Sequence, residues 1–340
     1  MKNIQTWLAR HADEILGDIR RLVLAESPSH DKAAVDACGD VLEAIFQQRL
    51  GLSAAIAEQR DYGNHRKFVL GTSGPQTTVL GHFDTVWDKG ELALREADGK
   101  LYGPGILDMK SGLIQAIWAV RALQACKGPI GQRIVFLCNS DEELGSPSSS
   151  AWIEQHAQGS AQVLVVEPAV AGSGALKVAR KGVGRYEVSI TGQAAHAGNN
   201  PEEGASAVQE MAKQIIYLHS LNAPERGTSV NVGIAHGGSR VNVVADRAQL
   251  GIDTRVTSEE EAARVHKAIR HLTVVDPRVT LQVTGEQSRP PMRQTAASRA
   301  LFDRAQQVAQ QLGFSLEGKA VGGGSDGNFT AALGLPTLDG

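Results

Sequence analysis

Residues 133–167 read RIVFLCNSDEELGSPSSSAWIEQHAQGSAQVLVVE. The run 133–139 is apolar and strand-sized, 149–158 carries a helical pattern, and 161–166 is a second apolar strand. The same alternation extends upstream. Strands are predicted over 52–58, 67–71 and 77–81, and a strong helix over 109–125 follows a glycine-rich loop at 102–105. A helix over 33–50 has Val35, Cys38, Val41, Leu42, Ile45 and Phe46 as its apolar stripe. The N-terminal stretch puts Ile4, Leu8, Ile15, Ile19, Leu22 and Val23 mostly on one helical face, and Ser27-Pro28-Ser29 stops the pattern. Strands alternating with helices predict an α/β fold, a mainly parallel sheet covered by helices on both faces.

The rhythm changes near Gly174. A strand (185–191), a helix (204–221), two strands (229–235, 248–255), a helix and a strand (279–285) follow. The second helix opens on the capping-box spacing of Ser258 and Glu261 and runs to 272. The order β-α-β-β-α-β is the ferredoxin-like pattern. Residues 288–340 return to a helix (297–312) and a strand that rejoin the first sheet. The expected organisation is one catalytic domain, 1–174 with 288–340, and an inserted ferredoxin-like α+β lid or dimerisation domain, 175–287.

Composition narrows the function. With 340 residues and 42% hydrophobic content the chain can bury a real core. A net charge of −3 argues against a nucleic-acid-binding surface. No apolar run approaches the roughly 20 residues that span a bilayer. The N-terminus is charged from the start and has no apolar signal region, so a cytoplasmic enzyme is expected. Cys38, Cys126 and Cys138 form no C-x-x-C pair, which excludes a disulfide framework or a cysteine-type zinc site.

Acids and a histidine stand at the carboxyl ends of three apolar strands. TTVLG runs into His82-Phe83-Asp84, RIVFLCN into Asp141-Glu142-Glu143, and AQVLVV into Glu167. Asp108 follows the glycine loop. Ligands of open α/β sheets bind outside the carboxyl ends of strands, so these groups can share one crevice. Crowded carboxylates raise each other's pKa, and a metal cation relieves the repulsion. One histidine with Asp and Glu is a ligand set that suits zinc. Singly, His82 reads as a surface histidine, Asp108 as a helix cap, the acidic run as a solvated loop and Glu167 as a strand terminus. Jointly these plainer readings fail to explain why every strong strand ends in an acid. In an extended segment residues i and i+2 face the same way, so Asp84 can reach the imidazole of His82, as carboxylates behind zinc-ligating histidines do. Of Glu142 and Glu143, one can bind metal while the other takes a proton from the attacking water. The excess of acids favours two metals, with Asp108 the best bridge.

Two other motifs fail. Gly323-Gly324-Ser325-Asp326-Gly327 matches G-x-S-x-G, but no histidine follows Ser325 to complete a serine-hydrolase triad. Residues 105–111 hint at a phosphate loop, but Met109 stands where the pattern needs glycine.

Together, HFDTV (82–86), GPGILDMKSG (103–112), DEELGS (141–146), VEP (166–168) and TGQAAHAG (191–198) resemble the co-catalytic zinc aminoacylase and carboxypeptidase family. That family includes glutamate carboxypeptidase, succinyl-diaminopimelate desuccinylase and acetylornithine deacetylase. The resemblance implies that His82 and Glu167 hold one zinc and Glu143 the other, with Asp108 as bridge. It makes Glu142 the general base and Asp84 the group that orients His82. His196 matches the histidine that reaches a neighbouring subunit's site and steadies the oxyanion, helped by Asn242. Arg255 matches a structural or substrate-linked arginine. Arg289 and the loop Gly322, Gly323 and Gly324 match the groups that hold a substrate carboxylate. The family carries a cis peptide after its bridging aspartate, here Asp108–Met109.

The resemblance therefore implies two Zn2+ ions, replaceable by Co2+ or Mn2+, and a homodimer built through the inserted domain. The implied activity is a glutamate-carboxypeptidase-like exopeptidase acting on small peptides. Alternatives are an N-acyl amino acid deacylase, or a non-catalytic relative that binds metal or peptide. No nucleic-acid or membrane partner is expected. The family also supplies a histidine ligand just after a segment like LGLPTLDG, the point at which this sequence ends. The expectation is a chain cut short there, an inactive fragment with one complete zinc site. A natural variant with one altered metal position is the alternative.

Overall fold

The computed structural model describes residues 2–340. Two compact units emerge. One runs to Ala179 and takes up Gln294–Ala320 and Ser325–Gly340; the other comprises Arg180–Arg293 with Val321–Gly324.

The first unit opens with helices α1 (Lys2–Arg10), α2 (Ala12–Leu24) and α3 (Lys32–Leu50). Strands β1 (Ala55–Ala57), β2 (His65–Leu70) and β3 (Gln76–His82) follow, then a hairpin of β4 (Arg95–Ala97) and β5 (Lys100–Tyr102). Helix α4 (Ser111–Lys127), β6 (Arg133–Asn139), α5 (Ser150–Ala157), β7 (Gln162–Val165) and β8 (Leu176–Arg180) complete its first pass. The second unit consists of β9 (Gly182–Thr191), α6 (Ala207–Ser220), β10 (Ser229–Gly237), β11 (Arg247–Val256), α7 (Glu259–Arg270) and β12 (Thr280–Arg289). The chain returns with α8 (Ala296–Leu312), β13 (Gly318–Val321), α9 (Gly327–Ala332) and β14 (Thr337–Asp339).

The large sheet has the order β1-β2-β6-β3-β7-β14-β8-β13. Its centre, β6-β3-β7-β14, is parallel, and antiparallel pairs flank it at β1-β2-β6 and β14-β8. The apolar run of β6 is continuous because both of its faces are covered. Ile134, Phe136 and Cys138 pack with residues of α2, α3 and α4, while Val135 and Leu137 pack with Ile153 and Ala157 of α5. The second unit has the strand order β10-β11-β9-β12, all antiparallel. Tyr186, Val188 and Ile190 of β9 alternate inward onto the helix residues Leu218, Val265 and Ile269.

Some expectations need correction. The single N-terminal helix is two. His11 sits between them, with its ring bonded back to the Trp7 carbonyl (2.7 Å) and stacked on the Trp7 ring, a local contact that competes with helical backbone pairing. The helix expected from 109 starts at Ser111, because Asp108 and Met109 are non-helical. The second unit spans Arg180–Arg293 rather than 175–287. Strand β8 pairs into the large sheet, and β12 continues its ladder with β9 as far as Arg289. The β4-β5 hairpin and β8 were not expected from the sequence. Among the described residues no helix is long and apolar enough to cross a membrane.

The second unit carries an acid-sensitive carboxylate. Ser258 caps α7 as expected, accepting from the Glu261 N–H. The Glu261 carboxylate accepts from Arg264, Thr228 and Arg226. The Arg264 and Thr228 hydrogen bonds chiefly hold it down at about 2, against an ordinary 4.5. A depressed carboxyl adds stability above its unfolded pKa and loses it as pH falls through the folded one. Glu261→Gln is expected to lower the urea midpoint at pH 7 and to change it much less near pH 2. Equal losses at both pH values would contradict the linkage.

Candidate metal centre

Strands β6, β3 and β7 run parallel, so their carboxyl ends lie together at one end of the sheet, where such sheets bind ligands. His82 ends β3 and stands in register with Asn139, the end of β6. Glu142 and Glu143 open the turn Glu142–Leu144 just after β6. Glu167 lies just past β7. Asp108 comes from the turn Ile106–Lys110 ahead of α4, and the Asp108–Met109 peptide is cis, as the resemblance implies. Lys110 anchors this turn from within. Its buried Nζ donates to the carbonyls of Leu22 (3.2 Å) and Ala25 (2.8 Å). Gly112 lets α4 approach, since a Cβ there would lie 2.0 Å from the Val166 carbonyl oxygen. The absent side chain thus seats the Asp108 turn beside the strand end that carries Glu167.

The imidazole of His82 is the hub. Its Nε2 lies 3.2 Å from Asp108 Oδ1 and 3.7 Å from Glu167 Oε1. Its Nδ1 lies 3.3 Å from Asp84 Oδ1 and 3.1 Å from the Asp84 carbonyl oxygen. The i, i+2 geometry read from the sequence is therefore present. Asp84 is fully buried and also holds the acidic turn, accepting the N–H of Glu142 at Oδ1 and of Glu143 at Oδ2, each at 3.2 Å.

Two overlapping groups of side chains could hold a cation, with ligand atoms all within 4.8 Å of one another: His82, Asp108 and Glu143, and His82, Glu142 and Glu167. One imidazole with four carboxylates, assembled at strand ends, fits a divalent metal of the zinc type. Burial pulls the His82 imidazole towards neutrality. Its hydrogen bonds to Asp108 and Asp84, with the charges of Asp84 and Glu142, outweigh that and hold it well above its usual value. At Asp108 burial pushes the carboxyl up, but the hydrogen bond and charge of His82, with Lys177, bring it below the ordinary range. Crowding was expected to raise these acids. At Asp108 the hydrogen-bonded His82 imidazole reverses that.

The other residues singled out from the sequence belong to the second unit, which brings several of them together. Arg255 on β11 and Arg289 on β12 both pair with Val183 on β9, one from each side. Arg255 forks onto Asp253 (2.8 and 2.9 Å) and approaches the Gly322 carbonyl at 3.5 Å. The segments of His196 and Asn242 run side by side: the Ala197 N–H donates to the Asn242 carbonyl (3.0 Å), and His196 bridges Val243. His196 is exposed, and its Nδ1 accepts the N–H groups of Gly198 and Asn199, each at 3.1 Å. Two donors at Nδ1 place the ring proton of the neutral form on Nε2.

Sequence reasoning missed three residues. Arg180 Nη1 donates to the carbonyls of Gly323 (3.1 Å) and Gly324 (3.2 Å), fixing the glycine loop. Asp141 is not a solvated acid. It is buried and ties down the acidic turn, accepting from the Ser148 N–H and hydroxyl, each at 2.7 Å. Ser29, read only as part of a helix stop, donates its hydroxyl to Asp84. The cluster S-P-S-S-S at 146–150 was the available hint for Asp141; no local pattern marks Arg180 or Ser29. Ser325 of the G-x-S-x-G decoy is buried and donates to Asp339 (2.6 Å).

Known proteins resemble this chain over most of its length. The profile of peptidase family M20/M25/M40 matches residues 78–340. Carboxypeptidase G2 of Pseudomonas sp. (strain RS-16) is 27% identical over 336 residues, covering 96% of this chain and 80% of that protein. Succinyl-diaminopimelate desuccinylase of Legionella pneumophila (strain Lens) is 26% identical over 320 residues, 86% of this chain and 82% of that protein. Among solved structures, aminopeptidase PepT from Bacillus cereus ATCC 10987 superimposes with a TM-score of 0.76 at 23% identity, over 96% of this chain and 89% of that one. The M20 family metallo-carboxypeptidase Sso-CP2 from Sulfolobus solfataricus gives 0.75 at 14% identity, over 96% and 90%. At these identities the two structures bear on the fold.

Proposed function

This chain belongs to peptidase family M20/M25/M40, and on that premise we propose that it is a cytoplasmic, zinc-dependent exopeptidase of the glutamate-carboxypeptidase type. Its substrates are small peptides with a free terminal carboxylate. The family is one of peptidases, its relatives are named as a carboxypeptidase and a desuccinylase, and Sso-CP2 is named as an M20 metallo-carboxypeptidase, which supports metal-dependent amide hydrolysis. The observation that carries the reading is His82 Nε2 facing Asp108 and Glu167, with Glu142 and Glu143 on the same strand-end edge.

In this reading His82, Asp108 and Glu167 would hold one zinc ion, and Asp108 with Glu143 would contribute to a second. Bound metal supplies Lewis acidity, polarising the scissile carbonyl and making water acidic enough to be deprotonated near neutral pH. Glu142 accepts that proton at its carboxylate and returns it to the departing amide nitrogen. Asp84 keeps the His82 proton on Nδ1, so that Nε2 presents its lone pair to the metal. Arg289, Arg255 and the N–H groups of Gly322, Gly323 and Gly324 bind the substrate carboxylate. His196 donates from Nε2 to the oxygen that gains charge, assisted by Asn242. We further propose a homodimer through the inserted unit, in which His196 serves the other copy's centre.

A second reading, hydrolysis of N-acyl amino acids, is favoured by the desuccinylase relative. One panel separates the two. Zinc-loaded protein is given dipeptides, a folyl-glutamate and N-acetyl amino acids, and released amines are counted. Glutamate released from the folyl conjugate well above the other rates is the expected result. Preference for N-acetyl substrates selects the deacylase, and no turnover on any of them contradicts both.

A further inference from the structure

We infer that Ser29 is a positioning residue of the metal centre. Its hydroxyl holds the Asp84 carboxylate in the one orientation that serves His82 and the Glu142–Glu143 turn at once. The inference rests on the reading of this centre as a metal site.

The segment after α2 is docked on the end of β3 by contacts that do not need the Ser29 hydroxyl. The Thr85 N–H donates to the Ser27 carbonyl (2.8 Å), the Ser29 N–H donates to the Thr85 carbonyl (3.0 Å), and Pro28 bridges Thr85. Ser27 spends its hydroxyl on the Phe83 carbonyl, at 2.5 Å. The Ser29 hydroxyl is therefore not needed for this docking. It is buried and has a choice of acceptors, Asp84 Oδ2 at 2.7 Å and the Thr85 carbonyl at 3.0 Å. A hydroxyl has one proton, and a carboxylate is the stronger acceptor. The proton goes to Asp84.

The two oxygens of Asp84 divide their work. Oδ1 faces His82 Nδ1 at 3.3 Å and takes the Glu142 N–H at 3.2 Å; Oδ2 takes the Glu143 N–H at 3.2 Å and the Ser29 hydroxyl. The serine contact is the shortest of the four, so it dominates the rotation of the carboxylate. Without it, a fully buried carboxylate loses a donor and can turn away from the long contacts. His82 then keeps only the Asp84 carbonyl at 3.1 Å as a partner for Nδ1. A change of partner there re-aims the ring and with it Nε2, the atom offered to metal. One hydroxyl thus acts on the ligand at the end of β3 and on the turn after β6 through a single carboxylate.

The test is zinc affinity of the full chain, measured by competition with a chromogenic chelator at fixed pH. Ser29→Ala is expected to weaken binding about tenfold, at the lower end of what loss of a supporting hydrogen bond costs a metal site. Ser29→Thr, which keeps the hydroxyl, stays near the native value. Ser29→Val, nearly the same shape without a hydroxyl, matches Ser29→Ala. In an Asp84→Ala background, which leaves the Ser29 hydroxyl no side-chain acceptor at 84, Ser29→Ala should cost nothing more, because an effect that travels through Asp84 is already lost. A folded Ser29→Ala protein with native affinity, or an equal loss in both backgrounds, overturns the role. If Ser29→Ala does not fold, the threonine and valine variants decide, and equal affinities overturn it. Native protein that binds no zinc overturns the metal centre itself, an outcome distinct from native binding indifferent to Ser29.

Discussion

Glu142→Gln lowers turnover at least about 100-fold while metal content stays native, the scale expected when a positioned base is removed. Glutamine keeps the size and hydrogen-bonding reach of glutamate but cannot accept the proton. The turn keeps its tie to Asp84 in this variant, because that tie is the Glu142 backbone N–H. Metal analysis makes the experiment decisive. Glu142 also belongs to a group, with His82 and Glu167, that could hold a cation. If its carboxylate were a ligand, the variant would lose metal together with activity. Retained metal with wild-type turnover would move the base to another residue, and lost metal would recast Glu142 as a ligand.

On the two-zinc reading proposed above, Asp108→Ala is expected to have the widest effect, removing both metals and taking activity below detection. Asp108 lies against His82 Nε2 and shares a ligand group with both His82 and Glu143. A bridging carboxylate serves two ions, so its loss exceeds the roughly 10- to 100-fold cost of a supporting residue. Its carboxyl is held below the ordinary range despite burial, chiefly by His82, so it is an anion when metal arrives. Glu143→Ala is the control and should lower metal content by one ion only. Equal stoichiometries in the two variants, measured after dialysis, would contradict the bridge. The turn need not collapse without Asp108, because Lys110 holds it through the carbonyls of Leu22 and Ala25.

The fold was legible in the sequence wherever a segment's environment was uniform. Strand β6 is buried on both faces, so its apolar run announces a central strand without any knowledge of its partners. Short strands were harder. Strands β4 and β5 have three residues each and owe their form to each other, not to their own pattern. The helix stripe running up to Met109 suggested a start two residues early, because the Asp108 turn is shaped by Gly112 against Val166 and by the buried Lys110.

By itself the sequence determined which chemistry was available. Side-chain type and strand-end position are local properties, and together they put His82, Asp108, Glu143 and Glu167 on one edge with Asp84 behind the histidine. Tertiary structure alone decided how that edge is held. Ser29 reaches Asp84 across 55 positions of chain, and Arg180 reaches the glycine loop across 143 and 144. Contacts at such separations exist only after the sheet has formed, so no window of sequence encodes them. The same holds for charge. A cluster of acids read in isolation predicts raised pKa values, but in the folded chain the His82 imidazole lies 3.2 Å from Asp108 and the shift at that residue is downward, because the net shift follows the nearest groups in space and not the composition of the loop.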